Sequence, residues 1–157
     1  MDREYNKIVI ISLCDNHTKL WAEKLSQTLG MIFCDTKDLI EYELIDKKAV
    51  EELCTKEYLE HAETRVLKHI ASFTNVVVSI NYDYLIHNFN ILKEEGLVVF
   101  LKLPRNFIQE NGSTVDAISY ENRTKELEKL SNVTINLRKT DADFVCDKII
   151  KTLGGIL

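Results

Sequence analysis

Short, continuous apolar runs alternate along the chain with stretches of helical periodicity. The first run, Ile8–Ile11, leads directly into a segment with helically spaced apolar residues that ends at Gly30. Such a run is typical of a central parallel strand covered on both faces, and glycine is a common cap at a helix C-terminus. Asp15 or Asn16 is the expected N-terminal cap of the helix. Its expected apolar face consists of Leu20, Trp21, Leu25 and Leu29.

The same alternation continues to the end of the chain. Four more apolar runs predict strands at Met31–Cys34, Val76–Ile80, Leu97–Leu101 and Val133–Ile135. Helical patterns predict helices at about 37–46, 47–72, 83–95 and 115–130, and a last helix capped by Thr140 or Asp141. This βαβαβαβαβα order predicts a single α/β domain over residues 1–157, with three αβα layers around a five-stranded parallel sheet.

Composition limits the partners and the compartment. The net charge of -5 and the scattered basic residues argue against nucleic acid or an anionic membrane as the main partner. No apolar run is long enough to cross a membrane, and the first residues do not resemble a signal peptide. The four cysteines are widely spaced, which predicts reduced thiols in a cytoplasmic protein. Cys14, in the first strand–helix junction, is the one that can be exposed and partly activated at a helix N-terminus.

That junction is where an α/β protein normally holds phosphate. A P-loop needs G-x-x-x-x-G-K-[ST], because glycines let backbone amides curl around phosphate and the lysine neutralises it. In this chain the two glycine positions are Ser12 and His17, the lysine position is Thr18, and the Ser/Thr position is Lys19. None of the five glycines lies in this segment, and Asp15 places a carboxylate where phosphate oxygens would sit. The motif therefore predicts no working P-loop.

No other signature in the sequence predicts a catalytic or metal-binding residue. The four histidines have no metal-ligand spacing with cysteines or acidic residues. No G-x-S-x-G motif or Cys/His catalytic pattern is present. Residue patterns alone therefore assign no catalytic group.

Several segments share short patterns with one known family. Residues 32–41 are similar to F-x-D-T-D-x-x-I-E, residues 96–101 are similar to G-x-V-V-x-L, and Asn122-Arg123 stands where that family has Glu-Arg. Residues 132–135 and the last helix follow in register. In these features the chain resembles shikimate kinase, a small P-loop kinase of aromatic amino-acid biosynthesis. The resemblance implies the strand order 2-3-1-4-5.

The resemblance also implies a site for Mg-ATP and for shikimate. Asp35 matches the aspartate that would hold Mg²⁺ through water, and Arg123 matches the second shikimate-binding arginine. Lys37 replaces the aspartate that would bind the shikimate hydroxyls, and Glu60 replaces the arginine that would hold its carboxylate. Because these two replacements have opposite charge, Lys37 and Glu60 are expected to pair and close the old pocket.

Two of these positions have simpler structural interpretations. Asp35 can act as a helix N-cap at a strand end, and Arg123 can pair on the surface with Glu121 or Glu126. In addition, Ile80-Asn81-Tyr82 replaces the family's three glycines and is expected to fill substrate space. The lid at about 104–120 is much shortened.

Three functions follow from this comparison. The favoured one is a shikimate-kinase-like pseudoenzyme that has lost ATP-dependent phosphorylation, needs no cofactor and serves in binding or assembly with a protein partner. The second is an active ATP-dependent kinase with a rearranged phosphate loop, in which Lys19 reaches the phosphates of Mg-ATP. The third is a non-catalytic sensor that binds a small anion through Lys37, Arg123 and Tyr82.

Overall fold

A computed structural model of the chain describes residues 5–43, 56–82, 96–110 and 117–154. The strands within these residues are β1 Lys7–Ile11, β2 Ile32–Asp35, β3 Val76–Ser79, β4 Leu97–Lys102 and β5 Val133–Asn136. The helices are α1 Asp15–Leu29, α2 Thr36–Glu43, α3 Lys56–Ala71, α4 Arg105–Glu110, α5 Ala117–Leu130 and α6 Ala142–Thr152.

The strands form one parallel sheet in the order β2-β3-β1-β4-β5, which confirms the predicted fold class and strand order. β1 lies at the centre, where Val9 is opposite Val78 of β3 on one side and Val98 of β4 on the other. The carboxyl ends of β1, β2 and β3 therefore meet at one edge of the sheet, the edge at which such folds bind ligands.

Both faces of the sheet are covered, as the continuous apolar run of β1 predicts. Ile8 and Ile10 point into the core between the sheet and helices α1 and α6, whereas Val9 and Ile11 point into the opposite core. Every residue of β1 is buried. Because side chains alternate along a strand, one short run supplies both cores.

Helix α1 differs from its prediction at its first turn. It begins at Asp15, and its N-cap is Cys14, which makes no side-chain capping hydrogen bond; the predicted cap, Asp15 or Asn16, is therefore wrong. At the other end Gly30 adopts the expected left-handed conformation, with a φ of 66°. Leu20 was expected in the core but is 56% exposed, because the buried stripe of the helix passes through Thr18, Trp21 and Leu25 instead.

The remaining boundaries agree closely with the apolar pattern. Asp141 caps α6 by accepting a hydrogen bond from the Phe144 backbone N–H at 2.9 Å, which settles the choice between Thr140 and Asp141. The predicted helix at 83–95 and parts of the two helices predicted at 37–46 and 47–72 lie outside the described residues. The shortened lid at about 104–120 also lies partly outside them, so it and the single-domain organisation stay predictions.

Lys7, the first residue of β1, is a buried basic residue, with 2% of its surface exposed. Its Nζ donates a hydrogen bond of 2.5 Å to the carbonyl of Ala71, the last residue of α3. A cation at this end of a helix is favourable, because the last carbonyls lack intrahelical partners and carry the negative end of the helix dipole. The contact fixes α3 against the central strand.

None of the described helices is long and apolar enough to cross a membrane.

Candidate functional site

The connection between β1 and α1 is only three residues long. The strand ends at Ile11 and the helix begins at Asp15, so Ser12, Leu13 and Cys14 make the whole turn. The backbone N–H of Cys14 donates to the Ser12 hydroxyl at 3.0 Å. An amide in this position would face phosphate in a phosphate-binding loop, but here it bonds to a side chain of the turn itself.

Thr18 closes the turn from the helix side. Its hydroxyl lies 2.6 Å from the Ser12 hydroxyl and donates to the Cys14 carbonyl at 3.0 Å. Both hydroxyls are buried, at 0% exposure for Ser12 and 1% for Thr18. The Cys14 N–H donates to the Ser12 hydroxyl, and the Cys14 carbonyl lies within donor distance of both hydroxyls, at 3.1 Å from Ser12 and 3.0 Å from Thr18, so each group has a partner. The three residues therefore form a closed hydrogen-bonded ring inside the turn.

Asp35 holds the start of α2 at the end of β2. One carboxylate oxygen accepts a hydrogen bond from the Asp38 backbone N–H at 3.0 Å, which is N-cap geometry. The other oxygen accepts from the Ser79 hydroxyl at 2.5 Å, and the Thr36 hydroxyl donates to the Ser79 carbonyl at 2.8 Å. The structural interpretation of Asp35 as an N-cap is therefore confirmed.

An ion pair joins α1 to α2 above these strand ends. The Lys19 Nζ lies 2.6 Å from a carboxylate oxygen of Asp38, and their side chains are 44% and 54% exposed. The hydrogen bond that the Lys19 ammonium donates to the Asp38 carboxylate raises the pKa of Lys19 above its ordinary value. Lys19 is thus held on the α2 side of the strand ends.

These elements surround an open cleft of about 580 Å³ at the carboxyl ends of β1, β2 and β3. Its size is that of a small-molecule site. Its lining has four carboxylates against two ammonium groups. The described residues that line it are Cys14, Asp15, Asn16, Lys19, Leu20, Asp35, Lys37, Asp38, Glu41 and Asn81.

Arg123 of α5 lies against Tyr82 instead of against an acidic residue. The guanidinium carbon is 5.0 Å from the centre of the Tyr82 ring, a cation–π distance. The Tyr82 hydroxyl donates to Glu126 at 2.5 Å. The predicted surface pairing of Arg123 with Glu121 or Glu126 is therefore wrong. Arg123 contacts the Tyr82 ring, and the Glu126 carboxylate accepts its hydrogen bond from Tyr82.

The model of the family described as shikimate kinase matches residues 20–154. The chain belongs to the shikimate kinase family. Kinases of this family use ATP to phosphorylate an alcohol group. The match begins at Leu20, after the closed turn between β1 and α1.

Solved structures show the same fold. The shikimate kinase from Aquifex aeolicus vf5 aligns with a TM-score of 0.79 at 23% identity, over 95% of this chain and 96% of that one. The shikimate kinase from Acinetobacter baumannii in complex with shikimate aligns with a TM-score of 0.70 at 19% identity, over 96% of this chain and 94% of that one. A gluconokinase from Sinorhizobium meliloti 1021 aligns with a TM-score of 0.65 at 16% identity, over 98% of this chain and 94% of that one. No curated protein matched the sequence.

The shikimate kinase resemblance gave Lys37 and Glu60 a pairing that the structure does not contain. Both side chains are exposed, and only Lys37 lines the cleft. Among the described residues no ion pair joins Lys37 to Glu60. The ion pair at this site is instead the one between Lys19 of α1 and Asp38 of α2. The old acceptor side is therefore not closed by Lys37 and Glu60, because each is solvated on its own helix.

The expectation for Cys14 is also wrong. Its side chain is 3% exposed, and burial raises the pKa of the thiol, so the cysteine is not activated. Cys34 is buried as predicted for a reduced core thiol, and burial together with the nearby Asp35 and Asp38 carboxylates raises its pKa to about 12. Within the described part of the chain, no group of three His, Cys, Asp or Glu residues is placed to hold a metal ion.

Proposed function

We propose that this member of the shikimate kinase family does not transfer phosphoryl groups and acts through binding or assembly. The observation that carries the proposal is the ring of Ser12, Cys14 and Thr18 within the three-residue turn. Phosphoryl transfer depends on amides and cations positioned around the migrating phosphate. Here the Cys14 amide is taken by Ser12, and the family's lysine position is a buried threonine.

The nearest lysine does not replace the missing one in this arrangement. Lys19 reaches across to Asp38, so its charge is directed to α2 and partly neutralised there. Asp15, the first residue of α1, adds a negative charge to the same end of the cleft. The residues therefore do not fit a triphosphate with its metal ion, and we derive no reaction step through Mg-ATP.

The acceptor side supports the same conclusion. Arg123 is the one residue retained at a shikimate-binding position, and its guanidinium lies over the Tyr82 ring. Tyr82 stands at a position where the family has glycine, and it is held by its hydrogen bond to Glu126. A bound acceptor would have to displace the tyrosine before it could use the arginine.

One observation favours an active kinase as the alternative. Lys19 lines the cleft, and an ion pair as exposed as the one with Asp38 contributes only about 0–1 kcal/mol. A phosphate group could therefore compete for Lys19 at little cost. A small-anion sensor is less well supported, because the cleft is lined by more carboxylates than ammonium groups, although its volume suits a small ligand.

The test is thermal unfolding with Mg-ATP and with shikimate, followed by an ADP-release assay with both. Ligand at about 100 times its Kd should stabilise the fold by roughly 2.7 kcal/mol, which is a rise in Tm of about 5–10 °C for a domain of this size. We expect no rise and no ADP release. Turnover that Lys19→Ala abolishes, while the matched Lys125→Ala variant on α5 keeps it, would establish the active-kinase alternative.

A further inference from the structure

Most of the charges that line the cleft at the strand ends are already engaged within the protein. Lys19 is paired with Asp38. Both Asp35 oxygens accept hydrogen bonds, one from the Asp38 backbone N–H at 3.0 Å and the other from the Ser79 hydroxyl at 2.5 Å. Asp15 also has an interaction partner. Three of the four carboxylates and one of the two ammonium groups are therefore taken up before any ligand binds.

Lys37 and Glu41 carry the two remaining charges. Both line the cleft, and both side chains are exposed. In the part of the chain that the structure describes, neither side chain has an ion-pair or hydrogen-bond partner. They stand on one face of α2, about one turn or roughly 6 Å apart along the helix axis. Lysine before glutamate is the weaker order for a pair within a helix, so both charges stay available.

The neutral part of the lining adds hydrogen-bonding groups and one apolar surface. The side-chain amides of Asn16 and Asn81 line the cleft and have no hydrogen-bond partner among the described residues. Leu20 lines it as well and is 56% exposed, although its side chain is large and apolar. The cleft volume of about 580 Å³ is that of a small-molecule site. The cleft therefore offers a small molecule one cation, one anion, two amides and an apolar contact.

We propose that the cleft binds a small zwitterion of the amino-acid class with an apolar side chain. Lys37 contacts the carboxylate of the ligand, Glu41 contacts its ammonium group, and Leu20 contacts its side chain. An ion that carries a single charge fits less well, because it would leave one of the two α2 charges without a counter-charge and would lie close to a like charge. This ligand class rests on the binding role proposed above and gives that role a chemical identity.

The test is a titration of the isotope-labelled full chain with L-leucine, monitored by NMR spectroscopy of its amide signals. The side-chain amides of Asn16 and Asn81 report directly from the cleft. Two analogues of L-leucine each lack one charge: isocaproate has no ammonium group, and isoamylamine has no carboxylate. Comparison of the three Kd values measures what each charge of the ligand contributes.

Four variants locate the binding charges on the protein. Lys37→Met and Glu41→Gln each remove one charge and leave the side-chain length nearly unchanged. Lys125→Met and Glu121→Gln are the matched controls, because these two exposed residues stand at the same spacing on α5, outside the cleft. The Tm of each variant verifies that it is folded.

We expect L-leucine to shift the cleft signals and to bind more tightly than either analogue. Lys37→Met and Glu41→Gln should each raise the Kd for L-leucine by about 5-fold or more, and the controls should change it by less than about 2-fold. Lys37→Met should not weaken isoamylamine, and Glu41→Gln should not weaken isocaproate, because each analogue lacks the group that the lost charge would contact. A distorted cleft would instead weaken all three ligands.

Three results would overturn the proposal. They are the absence of any shift with L-leucine, an unchanged Kd in both cleft variants, and binding of either analogue as tight as that of L-leucine. Shifts caused by inorganic phosphate but not by L-leucine, and abolished in Lys37→Met, would also overturn it and would assign the cleft to a simple anion. None of these readouts involves turnover, so the ligand class can fail while the proposed loss of phosphoryl transfer stands. ADP release would overturn that loss alone.

Discussion

The Lys19 ammonium lies 2.6 Å from the Asp38 carboxylate, and the pair links the second turn of α1 to the first turn of α2 across the cleft. Both residues stand one position after the ones that the family would use, which are Thr18 for the phosphate lysine and Lys37 for the hydroxyl-binding aspartate. The lysine and the aspartate that lie next to the family's two positions are therefore bonded to each other.

Because this pair is exposed, we expect Lys19→Ala to lower the free energy of unfolding by only about 0–1 kcal/mol at neutral pH. The pKa of Lys19 is raised in the folded state, so the contribution is complete below the ordinary value of 10.5 and is lost as pH rises through the higher folded value. Urea unfolding of the wild type and the variant, at neutral and at strongly alkaline pH, measures this. A difference that grows at alkaline pH would contradict the assigned partner.

Removal of the Thr18 hydroxyl should destabilise the fold much more. Thr18→Val keeps the shape but removes two buried hydrogen bonds, to the Ser12 hydroxyl and to the Cys14 carbonyl, at an expected cost of about 0.5–1.5 kcal/mol each, while Ser12 keeps its own bond to that carbonyl. Thr28→Val is the matched control, because the exposed Thr28 hydroxyl makes the same bond one turn back, to the Lys24 carbonyl at 3.0 Å. Denaturant unfolding of both variants gives the comparison, and equal costs would contradict the importance of the buried ring.

Tyr82→Phe should cost more stability than Tyr120→Phe. The Tyr82 hydroxyl donates to the Glu126 carboxylate, whereas the Tyr120 hydroxyl donates to the neutral Leu103 carbonyl at 2.7 Å. Hydrogen bonds to charged groups contribute about 1.5–3 kcal/mol and neutral ones about 0.5–1.5 kcal/mol. In a Tyr82→Phe/Glu126→Gln double-mutant cycle, a coupling energy near zero would show that Tyr82 is not held by Glu126.

The buried thiols should resist alkylation in the native state. A pKa of about 12 leaves roughly one Cys34 thiol in ten thousand ionised at pH 8, and burial raises the pKa of Cys14 as well. Iodoacetamide treatment at that pH, followed by peptide mass spectrometry, should find both cysteines unmodified in native protein and modified in urea. Rapid native modification of Cys14 would restore the interpretation of an activated thiol.

The strands of the sheet could be predicted from the sequence because each strand is marked by its own short run of apolar residues. The apolar run at Ile8–Ile11 and its counterparts mark each strand within one or two residues, and the resemblance to shikimate kinase supplies the strand order. The N-cap role of Asp35 could also be predicted, since aspartate is a preferred N-cap residue and Asp35 stands directly between a predicted strand and a predicted helix.

The contacts within the site could not be predicted in the same way. Lys19 and Asp38 are brought together by the packing of two helices, and Tyr82 meets Glu126 across 44 positions of sequence. The start of α1 was missed because Asp15 and Asn16 are better capping residues than Cys14 in isolation. The hydrogen bonds of the Ser12 and Thr18 hydroxyls close the turn before α1. These bonds depend on the three-dimensional shape of the turn, which the sequence pattern does not give.

The burial of Thr18 limits which residues this position can hold. A single change of Thr18 to lysine would place an ammonium ion at a position that is 1% exposed, among groups already bonded to one another. Such an uncompensated buried charge is strongly destabilising. A lysine at position 18 therefore requires further substitutions in the turn, because the buried hydroxyls and the Cys14 carbonyl leave its charge without a counter-charge.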